Sequence, residues 1–118
     1  MNWIFLVLWE KTRYNFGKTF NINDGTFTAP VHGIYYFYSQ AKTKGGGSAI
    51  IDLQGACGRY SWLENNVGMD FVTLAATCEL YKGSTVWVRL KGYFSTLRDE
   101  IHFDGHLIRQ IHWKMWYQ

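Results

Sequence analysis

Gly25-Thr26-Phe27-Thr28-Ala29-Pro30-Val31-His32-Gly33-Ile34-Tyr35-Tyr36-Phe37 sets the terms for the rest of the chain. It reads as two strands joined by a Pro/Gly corner. Proline fixes its own backbone angle and glycine permits a sharp bend, so a strand can end and another begin within a few residues. Beyond the corner the aromatics recur at alternate positions. Side chains of a strand point to opposite faces in turn. Tyr35 and Phe37 therefore share one face, and Ile34, Tyr36 and Tyr38 share the other. Both faces are apolar, so this strand is expected to be covered on both sides.

The same reading extends outward. Trp3–Trp9 is a continuous apolar run of strand length. Thr19–Ile22 and Thr26–Ala29 flank the Asn23-Asp24-Gly25 turn signal. Ile34–Ala41 is the long aromatic strand, followed by the flexible loop Lys44-Gly45-Gly46-Gly47-Ser48. Ala49–Gln54 resumes a strand. Gly58–Gly68 is mostly polar, with Tyr60 and Trp62 alternating and Asn65-Asn66 in the turn. Phe71–Leu80 and Thr85–Lys91 flank Tyr81-Lys82-Gly83-Ser84, and Ile101–Ile108 and Ile111–Tyr117 close the chain. Short strands separated by turn residues, with no helical period, predict a β-sandwich or barrel.

The bulk numbers agree. A chain of 118 residues is expected to be one domain spanning 1–118. At that size roughly 65% of the unfolded surface can be buried, enough for a core without metal or a disulfide framework. Charged residues are only 18% and hydrophobic ones 47%, which excludes disorder. The net charge of +3 comes from scattered Lys and Arg, so no stripe exists to track a nucleic acid. Trp3–Trp9 is too short to span a bilayer, and Glu10-Lys11-Thr12-Arg13 is not a small-residue cleavage site. A buried opening strand, without membrane insertion, is the expectation.

Cys57 and Cys78 leave two readings open, one bridge or two buried thiols. Cys78 lies in the apolar run Ala75-Ala76-Thr77-Cys78-Glu79-Leu80, where a thiol behaves as a small hydrophobe, and this favours the thiols.

The opening stretch resembles the signature of the globular head domain of complement C1q, G-x-F-x-x-P-x-x-G-x-Y-x-F. Tyr14-Asn15-Phe16-Gly17 with Phe20-Asn21 is similar to the family's preceding strand. Gly83 with Val86-Trp87-Val88 is similar to its G-D-x-V-W-[LV] element, with Ser84 in place of the Asp. Phe103-Asp104-Gly105-His106-Leu107-Ile108 is similar to its closing F-x-G-x-L-[IL] strand. The signature region is 14–108, with 109–118 a C-terminal extension or last strand. An A-F-x-A-type first strand is missing or replaced, and Gly68–Ala76 departs from the family's small-residue pattern. No Gly-X-Y repeat occurs.

The resemblance implies an all-β jelly-roll sandwich of about ten strands, shared with tumour necrosis factor ligands, packed as a homotrimer. It implies a secreted, extracellular, non-catalytic module. Members bind carbohydrates, microbial surfaces, immune complexes or receptors, and stand-alone heads of this kind look most like invertebrate C1q-domain lectins. The expected function is recognition of glycans or microbial surface polymers in innate immunity, through loops of the trimer. The other reading is a secreted trimeric signalling ligand for a cell-surface receptor. Ile34, Tyr36 and Tyr38 are the expected trimer interface.

Within that frame, Arg59, Tyr60, Trp62, Glu64 and Asn65 form the candidate ligand patch. An aromatic plate stacks on the C–H face of a sugar, while amide and carboxylate groups take its hydroxyls. Phe94, Ser95, Thr96 and Arg98 form a second candidate loop. Asp70, near Asn65-Asn66, is the calcium candidate, because some family trimers hold calcium near the three-fold apex. His102 and His106 fall on one strand face, too far apart to share a metal unless Gly105 bulges the strand. His32, in the corner, is expected at the surface. Asp99-Glu100 point apart in an extended chain, and no G-x-S-x-G or catalytic-triad signature is present.

Overall fold

The computed structural model describes residues 4–5, 20–21, 25–66, 68, 70–94 and 101–112. Among these residues there are nine strands: β1 (Ile4–Phe5), β2 (Phe20–Asn21), β3 (Thr26–Thr28), β4 (Gly33–Thr43), β5 (Gly47–Gly55), β6 (Arg59–Asn66), β7 (Asp70–Leu80), β8 (Thr85–Lys91) and β9 (Ile101–Gln110). All pairings are antiparallel. One sheet runs β2-β3-β8-β5-β6, with β1 also pairing β8, and the other runs β7-β4-β9.

The stretch from Gly25 to Phe37 carries the chain between the two sheets. β3 pairs β8 in the larger sheet, and β4 lies at the centre of the smaller one. Ala29 N–H donates to the Ser84 carbonyl at 2.8 Å, and Gly83 N–H donates to the Ala29 carbonyl at 2.8 Å. The corner is thus tied to the β7–β8 turn, where Gly83 takes φ of 89°. Inside the corner, the Tyr35 hydroxyl donates to the Val31 carbonyl at 2.6 Å. The aromatic after the bend pins the residues of the bend.

The core follows from alternation. β4 buries every second residue, Tyr35, Phe37, Ser39 and Ala41 among them, and β7 does the same with Val72, Leu74, Ala76, Cys78 and Leu80. Val86, Val88 and Leu90 of β8 and Ala49, Ile51 and Leu53 of β5 face them from the other sheet. Phe27 meets Phe37 edge-on at 5.1 Å between centroids and Tyr35 at 5.6 Å. Phe103 stacks on Phe37 at 6.1 Å. Gly105 pairs with Phe37, and a Cβ there would stand 2.7 Å from the Phe37 ring. The ring therefore occupies the space that any other residue at 105 would fill.

Several expectations change. Cys57 and Cys78 are disulfide-bonded, with Cα atoms 5.7 Å apart, a normal bridge separation. The favoured thiol reading gives way because the β5–β6 turn brings Cys57 over the inward-facing Cys78 of β7. Phe94 is not a loop ligand group: it is buried, 8% exposed, and its backbone bridges Thr43. His32 is not at the surface. Its side chain is 10% exposed, bonded to Glu79 at 2.7 Å and stacked on Tyr81 at 4.4 Å. The irregularity in β9 lies opposite Ile34/Tyr35, where Leu107 and Arg109 pair and Ile108 is the extra residue, and not at Gly105. Asn65 and Asn66 continue β6. Ser95, Thr96, Arg98, Asp99 and Glu100 lie outside the described residues, as does most of Trp3–Trp9 and of Ile111–Tyr117.

Two outcomes follow for stability. The bridge closes a sequence separation of 21 residues and links the two sheets. Its loss in Cys57→Ala/Cys78→Ala is expected to cost about 3 kcal/mol, read by urea denaturation. Burial pushes the Tyr35 hydroxyl above its ordinary value of 10.0, and the Val31 hydrogen bond opposes this more weakly. The folded state thus holds the neutral phenol. Its contribution is fully present below the unfolded value and is lost as pH rises through that value towards the folded one. Tyr35→Phe should remove that part of the alkaline loss of stability and cost about 1 kcal/mol at neutral pH, from the lost hydrogen bond.

Candidate recognition faces

The sandwich has two outward faces with different chemistry. On the β7-β4-β9 sheet, Ile34, Tyr36 and Tyr38 point away from the core and are half-buried within the chain itself. Cross-strand partners cover part of them. Tyr36 sits between Thr77 of β7 and His106 of β9, and Tyr38 between Ala75 and Asp104. The Tyr36 and His106 rings are 5.4 Å apart, and Tyr38 meets His102 at 5.9 Å. His102 and Asp104 are joined by a 2.6 Å contact from Nε2 to Oδ2. Along β7, Ala75 and Thr77 opposite the tyrosines are short and exposed, while Glu79, opposite Ile34, bonds to His32 at the end of the face. The expectation of a second apolar face on β4 is met, with the histidines of β9 as its border.

The opposite face belongs to β6, β5 and β8. Tyr60 pairs with Asp52 and Trp62 with Ile50, so both aromatics point outward beside those residues. They are 69% and 53% exposed, unusual for large aromatics at the edge of a sheet. Glu64 shares their parity on β6, whereas Arg59 has the opposite parity, and the pairing with β5 shifts register beyond Leu63. The sequence patch therefore divides. Tyr60, Trp62 and Glu64 share one face of a strand, and Leu63, between them in the sequence, packs on the core.

A polar network that sequence reasoning missed lies next to these aromatics. Asp52 is 7% exposed although it points to the outer face. Its Oδ2 accepts from Gln54 Nε2 at 2.5 Å and from Arg89 Nε at 3.0 Å. A buried carboxylate needs such donors, since leaving it unpaired costs far more than one exposed pair contributes. The signal was available in the alternation: Asp52 and Gln54 occupy the same parity in β5, and Arg89 and Trp87 do so in β8. Only the register of β5 against β8 places Asp52 opposite Arg89 and Gln54 opposite Trp87. Trp87 lies against Gly55, where a Cβ would stand 2.8 Å from its ring.

Asp70 opens β7 and is exposed. Its Oδ1 accepts from the Phe71 N–H at 2.7 Å, and its own N–H donates to Thr43 Oγ1 at 3.1 Å. Among the described residues, no three His, Cys, Asp or Glu groups are placed to hold a metal ion. Asp70 therefore belongs to no such cluster within the described part of one chain.

Residues 3–108 match the family model for the C1q domain. Two solved structures resemble the fold. The globular domain of zebrafish complement 1qA protein is 25% identical, with a TM-score of 0.64 over 80% of this chain and 77% of that one. The tumour necrosis factor Eiger from S. frugiperda is 11% identical, with a TM-score of 0.64 over 80% of this chain and 70% of its own, a likeness of fold alone. Among curated protein sequences, none matches this chain.

The network and the plates should separate in thermal melts. Tyr60→Ala and Trp62→Ala remove exposed rings and are expected to change stability by no more than about 0.5 kcal/mol. Arg89→Met leaves Asp52 without its charged partner and is expected to cost about 2 kcal/mol.

Proposed function

The chain belongs to the C1q domain family, with a jelly-roll fold of two antiparallel sheets, and on that premise we propose that it is a secreted, homotrimeric, non-catalytic recognition module for carbohydrates of microbial or other surface polymers. C1q domains generally form trimers, are typically secreted and are generally non-enzymatic. The observation that carries the reading is the division of labour between the two faces of one sandwich. The Ile34, Tyr36 and Tyr38 face is apolar, flat and half-covered, and it suits self-association. The Tyr60 and Trp62 face lies on the other side of the core. Packing three copies through the first face points the second outward on every subunit. Weak single contacts then combine, because three linked sites rebind a repeated ligand at high effective concentration.

An aromatic ring suits a sugar for a physical reason. The ring offers an apolar plate with a polar rim nearby, and the sugar offers a C–H face ringed by hydroxyls. Tyr60 and Trp62 supply the plates, and Glu64 on the same face supplies an acceptor.

Light scattering should give a trimer mass at micromolar concentration, and a monomer would undo the assembly argument. Tyr36→Ala and Tyr38→Ala should shift the mass towards monomer more than they lower the melting temperature. On a glycan array and in pull-downs with bacterial cells, Trp62→Ala should lose most of the signal of the wild-type protein. Wild-type protein that binds no glycan and no cell envelope would overturn the recognition reading.

A further inference from the structure

We infer that the outer face of the β6-β5-β8 sheet is a binding site for an extended, neutral polysaccharide with equatorial linkages, which lies across the three strands with Trp62 and Tyr60 at one end and Trp87 at the other. The inference rests on the recognition reading above and names its ligand class and its full extent. Tyr60 and Trp62 are two positions apart on β6, so their plates are about 7 Å apart along the strand. Trp87 stands on β8, two strand spacings across, and its partner Gln54 lies two residues along β5 from the partner of Tyr60 and four from that of Trp62, so it is about 12 Å from Tyr60 and about 17 Å from Trp62 on the diagonal. Between them, on β5, lie Asp52 and Gln54, and Asp52 Oδ2 ties Gln54 to Arg89, the neighbour of Trp87 on the same face of β8. Aromatic plates thus flank a polar strip across one sheet face.

This arrangement fits a chain and not a terminal sugar. A terminal sugar is gripped in a concave pocket that surrounds it. A pleated sheet face instead presents plates and polar groups in one plane. Equatorial linkages keep successive pyranose rings coplanar, with C–H faces towards a plate and hydroxyls at the rim. Gly55 keeps Trp87 low, because its missing Cβ leaves room for the ring. The Gln54 amide is held by its bond to Asp52, which leaves its oxygen as the group that can accept from hydroxyls.

Charge complementarity favours a neutral chain. The Arg89 guanidinium is matched to the Asp52 carboxylate. Among the described residues of β5, β6 and β8 on this face, Lys91 and Glu64 carry opposite signs. Such a mixed, balanced set does not select a polyanion, and hydroxyls satisfy both donors and acceptors.

Isothermal titration calorimetry with cello-oligosaccharides, from the disaccharide to the hexasaccharide, tests this on the intact protein. Affinity should rise about tenfold or more over the series as the chain reaches from Trp62 to Trp87. Trp87→Ala should remove that length dependence while leaving disaccharide binding on Trp62 and Tyr60 unchanged. Gln54→Ala, a milder change, should weaken the hexasaccharide alone by several-fold, so the outcome does not hang on the folding of one variant. Dextran, whose linkages are not equatorial, should bind at least tenfold more weakly. A hexasaccharide no tighter than the disaccharide overturns the inference, as does wild-type affinity for the hexasaccharide in both variants. If the protein binds bacterial cells but no cello-oligosaccharide, the inference fails and the recognition reading stands. If it binds neither, both fail.

Discussion

The contact of Phe37 with Phe27 across the sandwich organises this molecule. Phe27 comes from β3 in the larger sheet and Phe37 from β4 in the smaller one, and their rings meet edge-on where aromatic pairs are most favourable. Gly105 clears the ground beneath Phe37, and Phe103 closes its side. These residues fold the corner stretch back over the central strand that follows it, and bring the distant closing strand to the same place. Once β4 is held this way, its parity is fixed. Tyr35, Phe37, Ser39 and Ala41 must face inward, so Ile34, Tyr36 and Tyr38 must face outward. The proposed assembly face is a consequence of the core.

The same constraint acts on the opposite side. β5 and β8 bury Ala49, Ile51, Leu53, Val86, Val88 and Leu90 against β4 and β7, which drives Asp52, Gln54, Trp87 and Arg89 outward. Polar groups on an outer face usually stay in water. Here Asp52 is covered and its Oδ2 accepts from both neighbours, so it acts as an anchor that holds Gln54 and Arg89. A pre-ordered polar strip loses little freedom when a ligand settles on it. The disulfide adds to this rigidity, since it joins the turn that follows β5 to β7 of the other sheet.

Much of the fold was legible in the sequence because strands with one buried face advertise their period. β8 follows the sequence expectation to the residue, Thr85–Lys91, and β4 and β7 differ only at their ends. Those strands alternate clearly, and the turn at Gly83 is punctuated by residue types with no good alternative. What was illegible depends on contacts between distant residues. Cys57 and Cys78 carry no local sign of pairing, and their apolar surroundings pointed to thiols. Phe94 sits beside loop residues in the sequence, yet it is drawn into the core by the bridge to Thr43. His32 looked exposed beside Pro30, but Glu79 and Tyr81 approach it from the adjoining strand and turn.

The sequence by itself determined which residues alternate, where most of the chain turns, and that Tyr60 and Trp62 stand at alternate positions; that they lie on a strand and not in a loop came from the structure. Alternation and turns are local, set by backbone geometry and by the demand that apolar side chains leave water. Tertiary structure alone decided which strands are neighbours and in what register. That register set Asp52 opposite Arg89, Gln54 opposite Trp87 and Gly105 opposite Phe37. A shift of one residue would keep every strand and turn the polar strip into the core. The identity of the aromatic plates was therefore written in the chain, whereas the surface they share with Trp87 exists only because three strands meet in this register.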